Sequence, residues 1–195
     1  MWDERYSIDS YVYGESPNDF LRERVSALKR GRALCLAEGE GRNSVFLAKH
    51  GFTVTGVDSS SVALEKAERL AKKNHVTIET VHADLARYTI EQDSWDSIVS
   101  IFCHLPPSLR KTIHRRVVLG LQSGGTFLLE AYTPRQLEFG TGGPPKAEFM
   151  MDLGSLKEEL AGLEFVHAQE LIRDVSEGIK HTGQASVVQV LSRKP

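Results

Sequence analysis

Glu38-Gly39-Glu40-Gly41 lies between an apolar run, Ala33–Ala37, and a helix-like stretch, Ser44–Ala48. Seventeen residues after Gly41 comes Asp58, at the end of Phe52-Thr53-Val54-Thr55-Gly56-Val57. Glycines just past a strand let the backbone approach a ligand closely, and an acid at the tip of the next strand accepts hydrogen bonds from two vicinal hydroxyls. The order strand, glycine loop, helix, strand, acid is that of one right-handed βαβ unit and its crevice, so the pattern points to a cofactor built on adenosine. A second acid, Asp84 in His82-Ala83-Asp84-Leu85, follows the third strand. A carboxylate at that edge accepts from an adenine amino group or caps its own turn, and Asp58 has the same choice between a ribose and a helix N-terminus.

Other side chains invite a chemical reading and a plainer one. His104, in Phe102-Cys103-His104-Leu105-Pro106-Pro107, follows the fourth strand and is either a proton acceptor or a strand-end ring bonded to nearby backbone. Arg135 and His181 fall on connections at the same edge, where a second substrate would enter, and both also suit solvent. Trp2, Tyr6, Tyr11 and Tyr13 precede the first helix and either fold over a cationic ligand or pack as core. Glu130 ends a buried strand and needs a partner or a site to face. Arg110, Lys111, His114, Arg115 and Arg116 share one helix and read as a solvated face, since no aromatic residues interleave for base stacking. No histidine pair has zinc spacing, and Cys35 and Cys103 stand far apart, so neither metal nor disulfide is expected.

These residues must be carried by alternating strands and helices. Ser16-Pro17-Asn18-Asp19 predicts a helix start, with Phe20, Leu21, Val25 and Leu28 on one face and Gly31 as its stop. A crossover helix spans Arg42 to His50, and Ser60 or Ser61 caps another through Lys73, with Ala63, Ala67, Leu70 and Ala71 inward and charges outward. Strands are predicted at 76–81, 95–102 and 126–132, the last two apolar throughout as in sheets covered on both faces. A helix opens at Pro106-Pro107-Ser108 and ends near Gly120, and an irregular stretch runs from Thr133 to Lys146. A short helix at 153–160 precedes two antiparallel strands, 165–173 and 185–193, separated by Ser176-Glu177-Gly178.

A length of 195 residues suits one domain, 1–195, with residues 1–30 as an N-terminal arm and helix over the site. A net charge of −2 gives no field to gather nucleic acid or an anionic membrane. The acidic start Met1-Trp2-Asp3-Glu4 lacks the pattern of a signal peptide, and no apolar run reaches membrane-spanning length, so the cytoplasm is the expected location.

Leu34–Asn43, Gly51–Ser59, Ala83-Asp84 and Trp95-Asp96 together resemble the motif series of class I S-adenosylmethionine-dependent methyltransferases. Trp2–Tyr6, Tyr13-Gly14, Pro17-Asn18 and Gly39–Asn43 are most similar to the tellurite-resistance and thiopurine-type branch. The resemblance implies an α/β, Rossmann-like, seven-stranded, mostly parallel sheet in the order 3-2-1-4-5-7-6, with strand 7 antiparallel and helices on both faces. It implies S-adenosyl-L-methionine as cofactor, with Glu38, Gly39, Glu40, Gly41 and Asn43 toward the amino-acid part, Asp58 and Ser59 at the ribose, Asp84 and Leu85 at adenine, and Phe102 and Cys103 beside the sulfonium. His104 is the expected catalytic residue. The expected partner is a small-molecule acceptor, a thiol or oxyanion, with no nucleic acid and no membrane, on a monomer or weak homodimer.

Two residues depart from the family pattern. Ala37 stands where the first loop glycine is usual, which is tolerable at negative φ, and Cys35 replaces an acid, leaving Glu38 to meet the cofactor's ammonium. Two alternatives share the opening motif. A nicotinamide dehydrogenase needs glycine where Ser44 stands, and its short-chain relatives need a tyrosine four residues before a lysine, which no tyrosine here has. A module that binds S-adenosylmethionine without turnover remains open.

Overall fold

The computed structural model describes residues 2–179 and 181–195; Met1 and Lys180, both inside the expected domain, lie outside the described residues. The strands are β1 (Arg32–Leu36), β2 (Thr53–Asp58), β3 (Glu79–His82), β4 (Trp95–Ile101), β5 (Leu121–Tyr132), β6 (Glu164–Glu177) and β7 (His181–Arg193). They form one sheet in the order β3-β2-β1-β4-β5-β7-β6, the expected one. β7 runs antiparallel to both of its neighbours, while the other pairings are parallel.

The helices are α1 (Trp2–Tyr6), α2 (Asp19–Arg24), α3 (Arg42–Lys49), α4 (Ser61–Lys73), α5 (Pro107–Gly120) and α6 (Leu153–Glu159). Alternation along β1 explains the layering. Leu34 and Leu36 join Ile113, Val117 and Leu156 on one face, whereas Ala33 and Cys35 join Phe20, Leu21 and Leu47 on the other. In register, Leu36 pairs with Val57 and with Ser100, and Asp58 with His82, so the C-terminal tips of β1, β2, β3 and β4 make one rim.

Several boundaries differ from expectation for local reasons. α2 begins at Asp19, because the Asn18 carboxamide rather than Ser16 caps it by accepting from the Leu21 amide, and it closes in a 3-10 turn at Val25–Ala27, short of Gly31. β3 starts at Glu79 instead of 76, since the Val76 amide is spent closing α4 on the Ala71 carbonyl after His75 adopts a φ of 55°. The last two strands are longer than predicted and stay paired from Glu164–Arg193 to Glu177–His181, so the hairpin projects beyond the sheet. Its far end meets the N-terminal arm, where the Ile179 amide donates to the Val12 carbonyl.

Candidate active site

Asp58 is the centre of the rim. Its Oδ2 accepts from the Gly39 amide at 2.8 Å and its Oδ1 from the Ser60 amide at 2.9 Å, so one carboxylate ties the loop after β1 to the start of α4. Each oxygen keeps one further acceptor position, which is what a vicinal diol requires. Burial pushes the Asp58 carboxyl above its ordinary range, against the pull of the Ser60 and Gly39 amides.

The glycine loop is shaped by neighbours as much as by any ligand. Gly39 has a φ of 65°, and a Cβ there would lie 3.0 Å from the Tyr6 hydroxyl. Gly41, at 92°, would place a Cβ 2.6 Å from the Ala67 Cα, so its missing side chain lets α3 lie against α4. Gly41 has no side chain to cap α3, and Glu38 does so instead, its Oε1 accepting from the Ser44 amide at 2.8 Å. Burial nevertheless lifts the Glu38 carboxyl to about 7. Ala37 does not have the negative φ expected of it: its φ is 49°, so the loop keeps the left-handed turn that glycine would make and accommodates a methyl there. Phe102, at the tip of the adjacent β4, has a φ of 51°. Two non-glycine residues in this costly region flank the point where strand order reverses, as at ligand sites.

The remaining expected cofactor residues divide between the rim and the framework. Asp84 is exposed and its Oδ1 accepts from the Ala86 amide, a turn cap that leaves the other oxygen available. Leu85 is buried in the core, its carbonyl bound by Arg116. Ser59 is exposed. Asn43 accepts from the Asn18 amide, tying α3 to the start of α2. Cys103 is packed in the core, where burial pushes its thiol up to about 12.

The arm contacts this rim. Glu40 forms a buried ion pair with Lys66 of α4 and also accepts from the Tyr13 amide. Lys66 donates to the carbonyls of Tyr6, Ile8 and Ser10, and Asp3 accepts from the Ser60 hydroxyl at 2.6 Å. Rings continue from the arm across the rim: Tyr6 lies 6.1 Å from Tyr13, Tyr13 4.5 Å from His181, His181 4.7 Å from Phe102, and Phe102 4.6 Å from Tyr132. Trp2 and Tyr11 sit at the margin, one stacked on Tyr6 and the other bonded to the Lys66 carbonyl.

His104 belongs to this edge, with both ring nitrogens engaged. Nδ1 lies 3.0 Å from the Phe149 carbonyl, and Nε2 accepts from the Tyr132 amide at 3.4 Å. Burial lowers its basicity, to a pKa of about 4. Arg135 is exposed and pairs with Glu138, outside the rim.

Beneath the rim runs a buried ionic chain. Glu130 accepts from Asn18 at 2.8 Å, from Arg173 and from Gln189, and Glu177 accepts from Asn18 at 2.9 Å, from Arg173 at 3.0 Å and from Arg42. The Glu130 carboxylate is therefore paired. Burial works against the charge on Glu177, yet His181, Arg42 and Arg173 hold its carboxyl far below the usual range. The α5 cations are not the uniformly solvated face expected of them. Arg110 and His114 are buried against Glu159, and Arg116 binds the Leu85 and Tyr88 carbonyls, while Lys111 and Arg115 stay exposed.

Lys66 and Tyr132 were not anticipated as site residues. The signal for Lys66 was its phase, one residue from Ala67 and three from Ala63 on the inward stripe of α4, where it is 2% exposed. Tyr132 closes an apolar strand, and its buried hydroxyl has no hydrogen-bond partner among the described residues.

Residues 33–125 match a sequence-family model described as "Methyltransferase domain". A tRNA (uracil(54)-C(5))-methyltransferase from Pyrococcus horikoshii is 31% identical over 103 residues, covering 47% of this chain and 25% of that protein. A glycine/sarcosine N-methyltransferase from Aphanothece halophytica is 31% identical over 108 residues, covering 53% of this chain and 40% of that protein. The chain thus spans well under half the length of these relatives. Among solved structures, one described as "Conversion of a Disulfide Bond into a Thioacetal Group during Echinomycin Biosynthesis" shares the fold with a TM-score of 0.80 at 16% identity, covering 99% of this chain and 90% of that one. TehB from Haemophilus influenzae has a TM-score of 0.74 at 20% identity, covering 100% of this chain and 66% of that one. Residues 33–125 are thus similar to a methyltransferase domain, and the whole chain shares the Rossmann-like fold of these solved structures.

Proposed function

We propose that this chain is an S-adenosylmethionine-dependent methyltransferase of a small acceptor bearing a thiol or an oxyanion, in the tellurite-resistance and thiopurine-type branch. The observation that carries the reading is the Asp58 carboxylate, fixed by the Gly39 and Ser60 amides with acceptor capacity left on both oxygens. The fold shared with TehB supports the branch, and the glycine/sarcosine N-methyltransferase supports a small acceptor. Residues 1–195 act as one domain, as a monomer or weak homodimer in the cytoplasm, without nucleic acid or membrane. No helix among the described residues is long and apolar enough to cross a bilayer.

Asp58 and Ser59 take the ribose, Asp84 and Leu85 the adenine, and Glu38, Gly39, Glu40, Gly41 and Asn43 form the wall toward the amino-acid part, with Phe102 and Cys103 beside the reacting centre. When bound, S-adenosylmethionine supplies an electrophilic methyl group on a sulfonium. The protein's work is then alignment and exclusion of water, which the arm and the aromatic rings perform. His104 acts from the acceptor side by fixing the Phe149 and Tyr132 backbone, because service as a base would require it to release one of them.

Thermal unfolding with S-adenosylmethionine, S-adenosylhomocysteine and NAD tests the reading. Either sulfur ligand at 100 times its dissociation constant stabilises the fold by about 2.7 kcal/mol. A response to NAD alone overturns it.

A further inference from the structure

His181 opens β7 at the end of the hairpin nearest the arm, and the chemistry proposed above leaves it without a task. Its ring lies among Tyr13, Phe102 and Tyr132, with centroids 4.5, 4.7 and 5.5 Å away. Nδ1 is turned toward Glu177 Oε2, 3.9 Å away, and is otherwise unbonded. Nε2 has no hydrogen-bond partner among the described residues, and the side chain keeps 11% of its surface exposed. Glu177 itself cannot swing away, being held by Arg42, Arg173 and Asn18. An imidazole with a carboxylate behind one nitrogen and an open second nitrogen, beside the tip of β4, is the arrangement of a general base and its orienting group.

We propose that His181 is the catalytic base for methyl transfer, that Glu177 is its positioning residue, and that the acceptor arrives protonated, as a neutral thiol or hydroxyl. This rests on the methyltransferase reading and refines its acceptor. In the step, His181 Nε2 takes the proton of the acceptor X–H while the X–C bond forms; the C–S bond of the sulfonium breaks and its electron pair stays on sulfur. The proton then leaves the imidazolium for water. Glu177 stabilises the cation formed, and Tyr13 and Phe102 hold the acceptor body against the ring.

The groups bearing on His181 come from every neighbouring element: Tyr13 from the arm, Arg42 from α3, His104 after β4, Tyr132 from β5, and Arg173 with Glu177 from β6. Burial and the two arginines disfavour its protonation and Glu177 favours it, so the free base is the resting form at neutral pH.

Two measurements test the assignment. In 15N spectra of the protein with S-adenosylhomocysteine, His181 is expected to carry its proton on Nδ1, and Glu177→Gln is expected to shift the tautomer toward Nε2. A proton on Nε2 in the wild type overturns the proposal. The second is methyl transfer to 2-mercaptoethanol and to phenol across pH. His181→Gln should retain S-adenosylhomocysteine binding and lose roughly a hundredfold in kcat near neutrality. Its rate should recover as pH approaches the acceptor's own pKa, where the nucleophile is already ionised. An equal loss at every pH, no loss, or wild-type protein that binds S-adenosylhomocysteine but methylates neither probe overturns the proposal. Failure to bind S-adenosylhomocysteine overturns the methyltransferase reading instead, while the tautomer still reports on the dyad.

Discussion

At the scale of single residues, Asp58 separates charge from shape. Its carboxylate is disfavoured by burial yet bonded to two amides, so an isosteric amide keeps one of those bonds without the cost of the buried charge. Asp58→Asn should therefore leave the unfolding midpoint nearly unchanged while raising the dissociation constant for S-adenosylhomocysteine roughly ten- to hundredfold, since hydrogen bonds to a charged acceptor are worth about 1.5–3 kcal/mol each. Calorimetric titration reads this directly; unaltered affinity would remove Asp58 from the ribose. The place of Asp58 at the tip of β2 was legible in the sequence because an acid at a strand end after a glycine loop is a local pattern. The partners of Glu130 were not. They come from Asn18, Arg173 and Gln189, which are 112, 43 and 59 residues away and which only the folded sheet brings together. The sign of φ at Ala37 was equally hidden, because a left-handed turn imposed by the surrounding chain leaves no mark on an alanine.

At the scale of elements, the arm and α4 form one device. Residues 7–10 have no regular structure of their own, and a single ammonium, Lys66, ties the end of α1 and this segment down, shared among three carbonyls and the Glu40 carboxylate. Removing one partner of a buried pair strands the other, at a cost of about 3–5 kcal/mol, whereas removing both is far milder. Urea unfolding should thus show Lys66→Met losing stability of that order and the Lys66→Met/Glu40→Gln double variant regaining most of it. Strictly additive losses would mean that the pair is not coupled. The helix carrying Lys66 was legible from a cap at Ser60 or Ser61 to its end at Lys73, through its alanine and leucine stripe, and the structure selects Ser60 as the cap. The inward turn of Lys66 was not, because a lysine beside such a stripe ordinarily reaches solvent, and here the arm supplies the acceptors that allow burial. The ends of β3 and of the last hairpin were misplaced for a related reason. Val76 completes a helix and Glu177 pairs with His181, choices settled by tertiary contacts and not by strand propensity.

At the scale of the whole molecule, buried groups pull the pH dependence of stability in opposite directions, and Glu159, His104 and Glu38 show both senses. Burial pushes the Glu159 carboxyl up, but His114 and Arg110 outweigh it and hold the group at about 2 against an ordinary 4.5. The unfolded chain therefore binds the extra proton between these values, so stability rises with pH there and is lost as pH falls toward 2. His104, buried and held near 4 against 6.5, works in the same sense over the next interval: the unfolded state is the more protonated, and stability again rises with pH. Glu38 is the reverse case. Its carboxyl, lifted by burial to about 7 against 4.5, keeps a proton in the folded state that the unfolded state has released, so its contribution is complete below 4.5 and is lost as pH climbs through 7. Between 4.5 and 6.5 the contributions of His104 and Glu38 oppose each other, and above 6.5 the fall from Glu38 continues. Glu38→Gln keeps an oxygen for the Ser44 amide but cannot titrate, so its melting temperature should continue to rise to pH 6.5 and stay level beyond. Scanning calorimetry of both proteins from pH 3 to 8 decides it: a variant that still loses stability above 6.5 would assign that limb to another group and would leave Glu38 charged beneath the glycine loop.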